Sequence, residues 1–204
     1  MTRKRPKMER IDAIVHAAVA EFLDKGFEKA SMEGIAHRAG ISKGCIYHHF
    51  RGKDEILLHA NQLLSEPVSR MIAAAEACSS AREGLRRYIH QYLHYWKSHQ
   101  QELVFFFLSF TKVLEQPGLW AMYEEYTEQL FGFFQRMLQR GIDAGEFPWH
   151  DARQRGVALM AALDGLIGYL LLDRKLRAHE IEAEFERVFL GPTKKVGIGK
   201  QARR

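Results

Sequence analysis

Residues 31–53 read SMEGIAHRAGISKGCIYHHFRGK, and this stretch decides how the amino-terminal region folds. Ser31 is a predicted N-cap, because its hydroxyl can accept from a first-turn amide, and Glu33 stands where a carboxylate meets the positive end of a helix dipole. The helix that follows turns Ile35 and Ala36 inward and ends near Ala39. Gly40 then turns the chain, and Ser42 caps a short third helix with Ile46 and Phe50 facing the core. Two short helices joined by a tight glycine-containing turn make a helix-turn-helix pattern. That pattern also occurs in helical proteins that never meet DNA, so the residues it displays have to carry the functional argument.

Upstream, Ile11, Ile14, Val15, Ala18, Val19, Phe22 and Leu23 recur at three- and four-residue steps, the period of one apolar helix face. Gly26 is the predicted stop of that helix. Downstream, Ile56, Leu57, Ala60, Leu63 and Leu64 resume the period from Lys53 onward. Pro67 is expected to kink or break this helix, since proline lacks the donor and clashes with the preceding turn. A polar break at Cys78–Ser80 precedes a stripe of Leu85, Tyr88, Ile89, Tyr92, Leu93 and Trp96. The run Leu103–Phe110 is apolar nearly all round and is expected to be surrounded by other helices. Pro117-Gly118 ends it, and Trp120 to Ile142 forms a long aromatic-rich helix closed by Gly145 and Pro148. Asp151 caps the next helix, which reaches about Arg174. Ile181, Phe185, Val188 and Phe189 mark a last amphipathic helix stopped by Gly191-Pro192. No alternating strand is found, so the fold class is all-α.

The 204 residues, 47% hydrophobic and 27% charged, fit one or two globular domains. Charge is unevenly spread. Residues 1–53 hold eleven Lys/Arg against six Asp/Glu, a net +5, while residues 54–192 hold fourteen against nineteen, a net −5. Residues 193–204 add five Lys/Arg and no acid, and without an apolar stripe they read as a disordered basic tail. A basic head on an acidic body suggests that the head meets a polyanion, against the plainer reading of ordinary surface variation. The two cysteines, Cys45 and Cys78, have no metal-type or disulfide-framework spacing, which fits a reducing cytoplasm. No signal peptide is expected, because Asp12 and His16 interrupt the first apolar stretch. Gly156–Leu172 tempts a membrane reading, but it is short for a span and carries Asp164.

The amino-terminal residues of a recognition helix meet base edges in the major groove. Here they are Ser42, Lys43, Gly44 and Cys45, followed by Tyr47 and His48. Lys43 can donate to guanine O6 and N7. Gly44 permits close backbone approach at some cost in helix propensity. Ser31 and the amides of its helix can bind phosphate, and Arg3, Lys4, Arg5 and Lys7 form a candidate arm along the duplex. Each has a plainer alternative: the serines as caps only, His48 as an exposed side chain, the arm as a solvated terminus.

Residues 31–53 resemble the signature of the tetracycline-repressor (TetR) family, notably at Ile35-Ala36, Ala39-Gly40, Tyr47, Phe50 and Lys53. Phe22 and Gly26-Phe27 in the first helix match as well, so the strong resemblance covers residues 9–58, with a weaker echo in Gly141–Phe147. The resemblance implies a homodimer with a three-helix DNA-binding domain over residues 1–53 and a helical ligand-binding and dimerisation domain over 54–192. It also implies a repressor that leaves a palindromic operator when a small molecule binds. By the same resemblance Tyr47 and Lys53 are phosphate clamps and His49 a DNA contact.

Tyr92, Trp96, Phe106, Phe110, Trp120, Tyr123, Tyr126, Phe131 and Phe134 on the middle helices, with the acid Asp164, are candidates to line a pocket for a hydrophobic or aromatic effector. For any one of the aromatics, plain core packing is the competing reading. Ala158, Ala161, Ala162 and Gly165 with Phe185, Val188 and Phe189 are a candidate dimer seam. An enzyme is the rival class. His90 and His94 stand at i, i+4, a metal-ligand spacing, but with no third ligand evident in sequence they read as part of a solvated basic face. No phosphate loop, nucleophile elbow or paired catalytic carboxylates occur, so no cofactor or metal is expected. A helical protein-interaction module is the third class, and it would not need the run at 42–53.

Overall fold

The computed structural model describes residues 7–115, 120–173 and 175–191. In chain order the helices are α1 (Lys7–Lys29), α2 (Met32–Ala39), α3 (Lys43–His49), α4 (Lys53–Glu76) and α5 (Ala81–Ser98). They continue with α6 (Gln100–Glu115), α7 (Trp120–Asp143), α8 (Ala152–Leu172) and α9 (Ala178–Phe185), the last running into a π-helical turn at Glu186–Leu190. No strand occurs among the described residues, and the fold is all-α as its periodicity predicts. Arg3, Lys4, Arg5 and the tail at 193–204 lie outside the described residues, as does the Pro117-Gly118 break.

The chain divides into two compact units, Met1–Arg70 with Tyr95–Glu128, and Met71–His94 with Gln129–Arg204. In the first, Ile14, Ala18 and Phe22 of α1 close on Ile35 and Ala36 of α2, Ile46 of α3, Phe50, and Ile56 and Ala60 of α4. Phe105 and Val113 of α6 belong to the same core, and the Phe105 ring stacks on Phe22 at 6.2 Å. The packed unit that holds the amino-terminal helices is therefore wider than residues 1–53. In the second unit Tyr88 packs against Phe133 and Phe134, with ring centroids 5.0 and 5.3 Å away. Glu146 caps α5 there from sixty-odd residues downstream: its carboxylate accepts from Ser80 Oγ at 2.8 Å and from the amides of Ala81 and Arg82 at 3.1 and 2.8 Å.

Gly26 leaves helical geometry (φ 75°, ψ 158°) at the end of the first apolar stretch, where its stop was expected, and a further helical turn follows to Lys29. Two expectations change. Pro67 does not break α4, which is one helix from Lys53 to Glu76. Proline removes one bond of the ladder, and beside it the hydroxyls of Ser65 and Ser69 donate to carbonyls of the preceding turn, Ser65 to Gln62 O at 2.7 Å and Ser69 to Ser65 O at 3.1 Å. Helix α6 is not buried all round. Leu103, Phe105, Ser109 and Val113 are buried, whereas Val104, Leu108, Phe110 and Leu114 are exposed. The one polar residue of the run, Ser109, lies on the buried face, so no polar position marks the outer one and composition overstated the burial.

Candidate nucleic-acid interface

Helix α3 has seven residues, too few to be stable by propensity, so caps and core contacts must hold it. Ser42 Oγ accepts from the Cys45 amide at 3.2 Å, and Ile46 and Phe50 are sunk in the first core. Ser31 Oγ accepts from the Gly34 amide at 3.0 Å at the start of α2. Between the two helices Gly40 adopts φ 67°, a left-handed conformation that a side chain disfavours, and its amide donates to His37 O at 3.1 Å. With Ile46 buried, Ser42, Lys43, Gly44, Tyr47 and His48 are exposed, and Cys45 and His49 are half-buried. A Cβ added at Gly44 would meet nothing within 4 Å, so the first turn of α3 presents bare backbone outward.

Lys43 is paired with Glu33 of α2, and that carboxylate holds the Lys43 ammonium above its ordinary range. Glu33 thereby restricts where the lysine points. Lys53 is held by the end of α1. Its Nζ donates to Phe27 O at 2.7 Å and Glu28 O at 3.2 Å and lies 4.8 Å from the Phe27 ring centroid. In this geometry Lys53 caps the carboxy-terminal end of α1, where carbonyls lack helical partners.

Sequence reasoning missed what holds α2 on α1. Glu21 is 2% exposed and accepts from Lys25 Nζ at 2.6 Å and from Arg38 Nε at 3.1 Å, while Arg38 also reaches Asp24 at 2.9 Å. The Lys25 ammonium holds the Glu21 carboxyl below the usual carboxylate range, and Arg38 adds to the pull against the opposing effect of burial. The approach is close enough that a Cβ at Gly34 would fall 2.2 Å from Glu21 Oε1. The available signal was an acid placed beside Phe22 on the apolar face of α1.

The effector candidates separate. In the first unit Phe106, Tyr123 and Tyr126 line a cavity of about 70 Å³ with Asn61, Gln62, Leu64 and Ser65. Trp96 is buried with its ring 5.8 Å from Phe106, Phe110 lies 5.3 Å from Tyr123, and Trp120 is exposed. In the second unit Tyr92 donates its hydroxyl to Asp164 at 2.8 Å. Burial pushes the Asp164 carboxyl up, and the Tyr92 hydrogen bond only partly offsets this. Phe134 is a core residue and Phe131 is half-buried. Helix α8, which carries Asp164, is long and apolar enough to cross a bilayer, though length and composition are all that suggest it.

Comparisons with known proteins fit this architecture. Residues 14–60 match the bacterial regulatory proteins of the tetR family, and residues 81–188 match the carboxy-terminal domain of the BetI-type transcriptional repressors. The transcriptional activator FasR of Mycolicibacterium smegmatis is 29% identical over 175 residues, covering 84% of this chain and 77% of FasR. A putative transcriptional regulator of Pseudomonas aeruginosa PAO1 superposes with a TM-score of 0.82 at 22% identity, over 90% of this chain and 89% of that one. FadR of Bacillus subtilis, solved in complex with stearoyl-CoA, gives a TM-score of 0.74 at 21% identity over 89% of this chain and 98% of its own. One family match covers the capped helix pair and the other more than half of the chain, so this chain belongs to the TetR family and is a DNA-binding transcriptional regulator, not an enzyme.

Proposed function

We propose that the protein is a cytoplasmic repressor that binds a palindromic operator as a homodimer and is released by a small hydrophobic effector. Helix α6 carries this reading, because its neighbouring residues face two tasks. Phe106 lines the cavity beside Tyr123 and Tyr126, whereas Phe105 packs on Phe22 in the core that supports α3. Near its end Lys112 pairs with Glu28 and lies 5.2 Å from the Phe27 ring centroid, close to where Lys53 caps α1. A second cavity of about 290 Å³, lined by Phe22, Phe27, Leu57, Phe105, Ser109 and Lys112, leaves α6 room to shift against α1. An effector that displaces Phe106 thus moves the support of the reading helix, which gives two arrangements with different affinities for DNA.

Drug-sized sites run to roughly 300–1,000 Å³, so the cavity of about 70 Å³ has to open around its occupant. Its aromatic walls suit an alkyl or aryl group, and the stearoyl-CoA bound to the FadR fold relative makes long-chain acyl thioesters the first compounds to try. Dimerisation is assigned to α8, where Ala158, Ala161 and Gly165 leave an exposed face of small residues and Leu172 is 83% exposed. Such a face lets a second copy approach closely across a two-fold axis.

The test is selection of bound duplexes from a random pool, followed by a screen of acyl thioesters and aromatic compounds for release. A palindromic consensus and a releasing compound are expected. Phe106→Ala and Tyr126→Ala should lose release while keeping operator affinity. Binding to non-palindromic DNA with no releasing compound would overturn the reading, and a reporter that rises on deletion of the protein separates repression from activation.

A further inference from the structure

We propose that His90, His94 and Glu182 form a binding site for a divalent transition metal of the zinc class, fastening α9 to α5. The two histidines lie one turn apart on α5, with ring centroids 4.2 Å from each other. Glu182 of α9 meets both: its Oε2 is 2.9 Å from His90 Nδ1 and its Oε1 is 3.1 Å from His94 Nε2. One ligand atom from each residue falls within 4.8 Å of the others. The third ligand that the sequence did not reveal is thus supplied ninety residues away.

Two imidazoles and one carboxylate are a donor set for zinc, with bonds of roughly 2.0–2.2 Å and a fourth position left for water. Ligand atoms around a tetrahedral ion of that size lie roughly 3.4 Å apart, so small side-chain rotations close the cage. Two further observations favour an ion over a simple ion-pair ladder. Glu182 Oε1 is buried but accepts no hydrogen bond of good geometry. Helix α9 also starts without a side-chain cap at Arg177, and Glu182 lies near its middle, where an ion would tie it to α5. One turn further on, Arg86 and Glu186 pair at 2.8 Å and neutralise each other, leaving the carboxylate of Glu182 as the charge facing a cation. Imidazole ligands select zinc, nickel, cobalt and copper over magnesium and calcium.

Tag-free protein stripped with EDTA and titrated with zinc chloride is expected to bind one ion per chain, with a melting temperature that rises and returns on chelation. Magnesium chloride should do neither. Removing an outer-shell partner of a metal site typically weakens binding roughly 10–100-fold, so loss of a direct ligand in His94→Ala or Glu182→Gln should cost at least about tenfold. Both histidines are exposed, and unchanged circular dichroism and DNA binding in the variants would show that they fold. Cobalt substitution should give visible bands of a nitrogen- and oxygen-liganded ion in the wild type only. The proposal is overturned by no zinc binding to the wild type, or by equal zinc affinity in the wild type and both variants.

Discussion

Glu21 in the DNA-reading region and Asp164 in the long apolar helix α8 are both carboxyls taken largely out of water, and they end with opposite proton affinities. Glu21 has two cations, Lys25 and Arg38, and its carboxyl is held low. Asp164 has one phenol, Tyr92, and burial holds it high. A buried charge is favourable only when its lone pairs and its charge are both met. The first region is therefore built to keep one geometry, with an ion pair joining α1 to α2. The second keeps an acid whose needs the Tyr92 hydrogen bond meets only in part.

The largest expected effect comes from breaking the first pair. Glu21→Ala leaves Arg38 without its buried acceptor, and because Arg38 and Lys25 are partly solvated the cost is about 2 kcal/mol. For a chain of this length that lowers the melting temperature by about 4–8 °C, and operator binding should fall with the folded fraction. The proton balance gives a second readout. A carboxyl lowered on folding stabilises the native state above its ordinary value near 4.5 and loses that contribution as pH falls through the depressed value. Chemical denaturation of the wild type should show this acid limb, and Glu21→Gln should flatten it. A variant as stable as the wild type, with the same limb, would show that the pair does not fix α2.

Next in size is Lys43→Ala. If Lys43 reads a base edge, operator affinity should drop roughly tenfold or more while affinity for random DNA changes less. Glu33→Gln sharpens the point by releasing the lysine from its partner. Tighter binding to all sequences, with less discrimination, is expected if Glu33 aims Lys43. Electrophoretic mobility shifts on operator and scrambled duplexes measure both, and equal loss on the two would remove Lys43 from base reading.

In both regions, how far the sequence could be read depends on the separation of the partners along the chain. Ser31, Gly40, Ser42 and Asp151 act within three or four residues of themselves, so their caps and turns were visible before any packing was known. Ile46 and Phe50 were legible by period. What was hidden spans longer separations: Arg38 on Glu21 across 17 residues, Lys53 on Phe27 across 26, and Glu182 on His90 across 92. No local pattern encodes which helix end a lysine will cap. The aromatic stripe of the middle helices was ambiguous for a related reason. Phe105 and Phe106 are adjacent and chemically identical, yet one is core and the other lines a cavity, a division that only packing makes.

Lys53→Ala separates local capping from phosphate binding at a smaller scale. A cap on α1 predicts a stability loss of about 1 kcal/mol with the salt dependence of DNA binding unchanged. A phosphate clamp predicts uniform weakening on all sequences and a salt slope shallower by about one. Denaturation curves together with binding at several salt concentrations distinguish the two.

The smallest effect is expected at Asp164, and its sign is opposite to that at Glu21. A carboxyl raised on folding favours the native state most below its ordinary value of 3.8, and the advantage is lost as pH rises through the elevated value. Burial thus makes the charged form of Asp164 costly in the native state, a cost that the Tyr92 hydrogen bond only partly relieves. Asp164→Asn keeps the shape and an acceptor for the Tyr92 hydroxyl while removing the charge, so its melting temperature should lie slightly above the wild type at pH 7. The gap should close as the wild type is acidified. Tyr92→Phe, which removes the donor, should widen it. A less stable asparagine variant at pH 7 would mean that Asp164 is met by a charge as Glu21 is, and the contrast between the two regions would collapse.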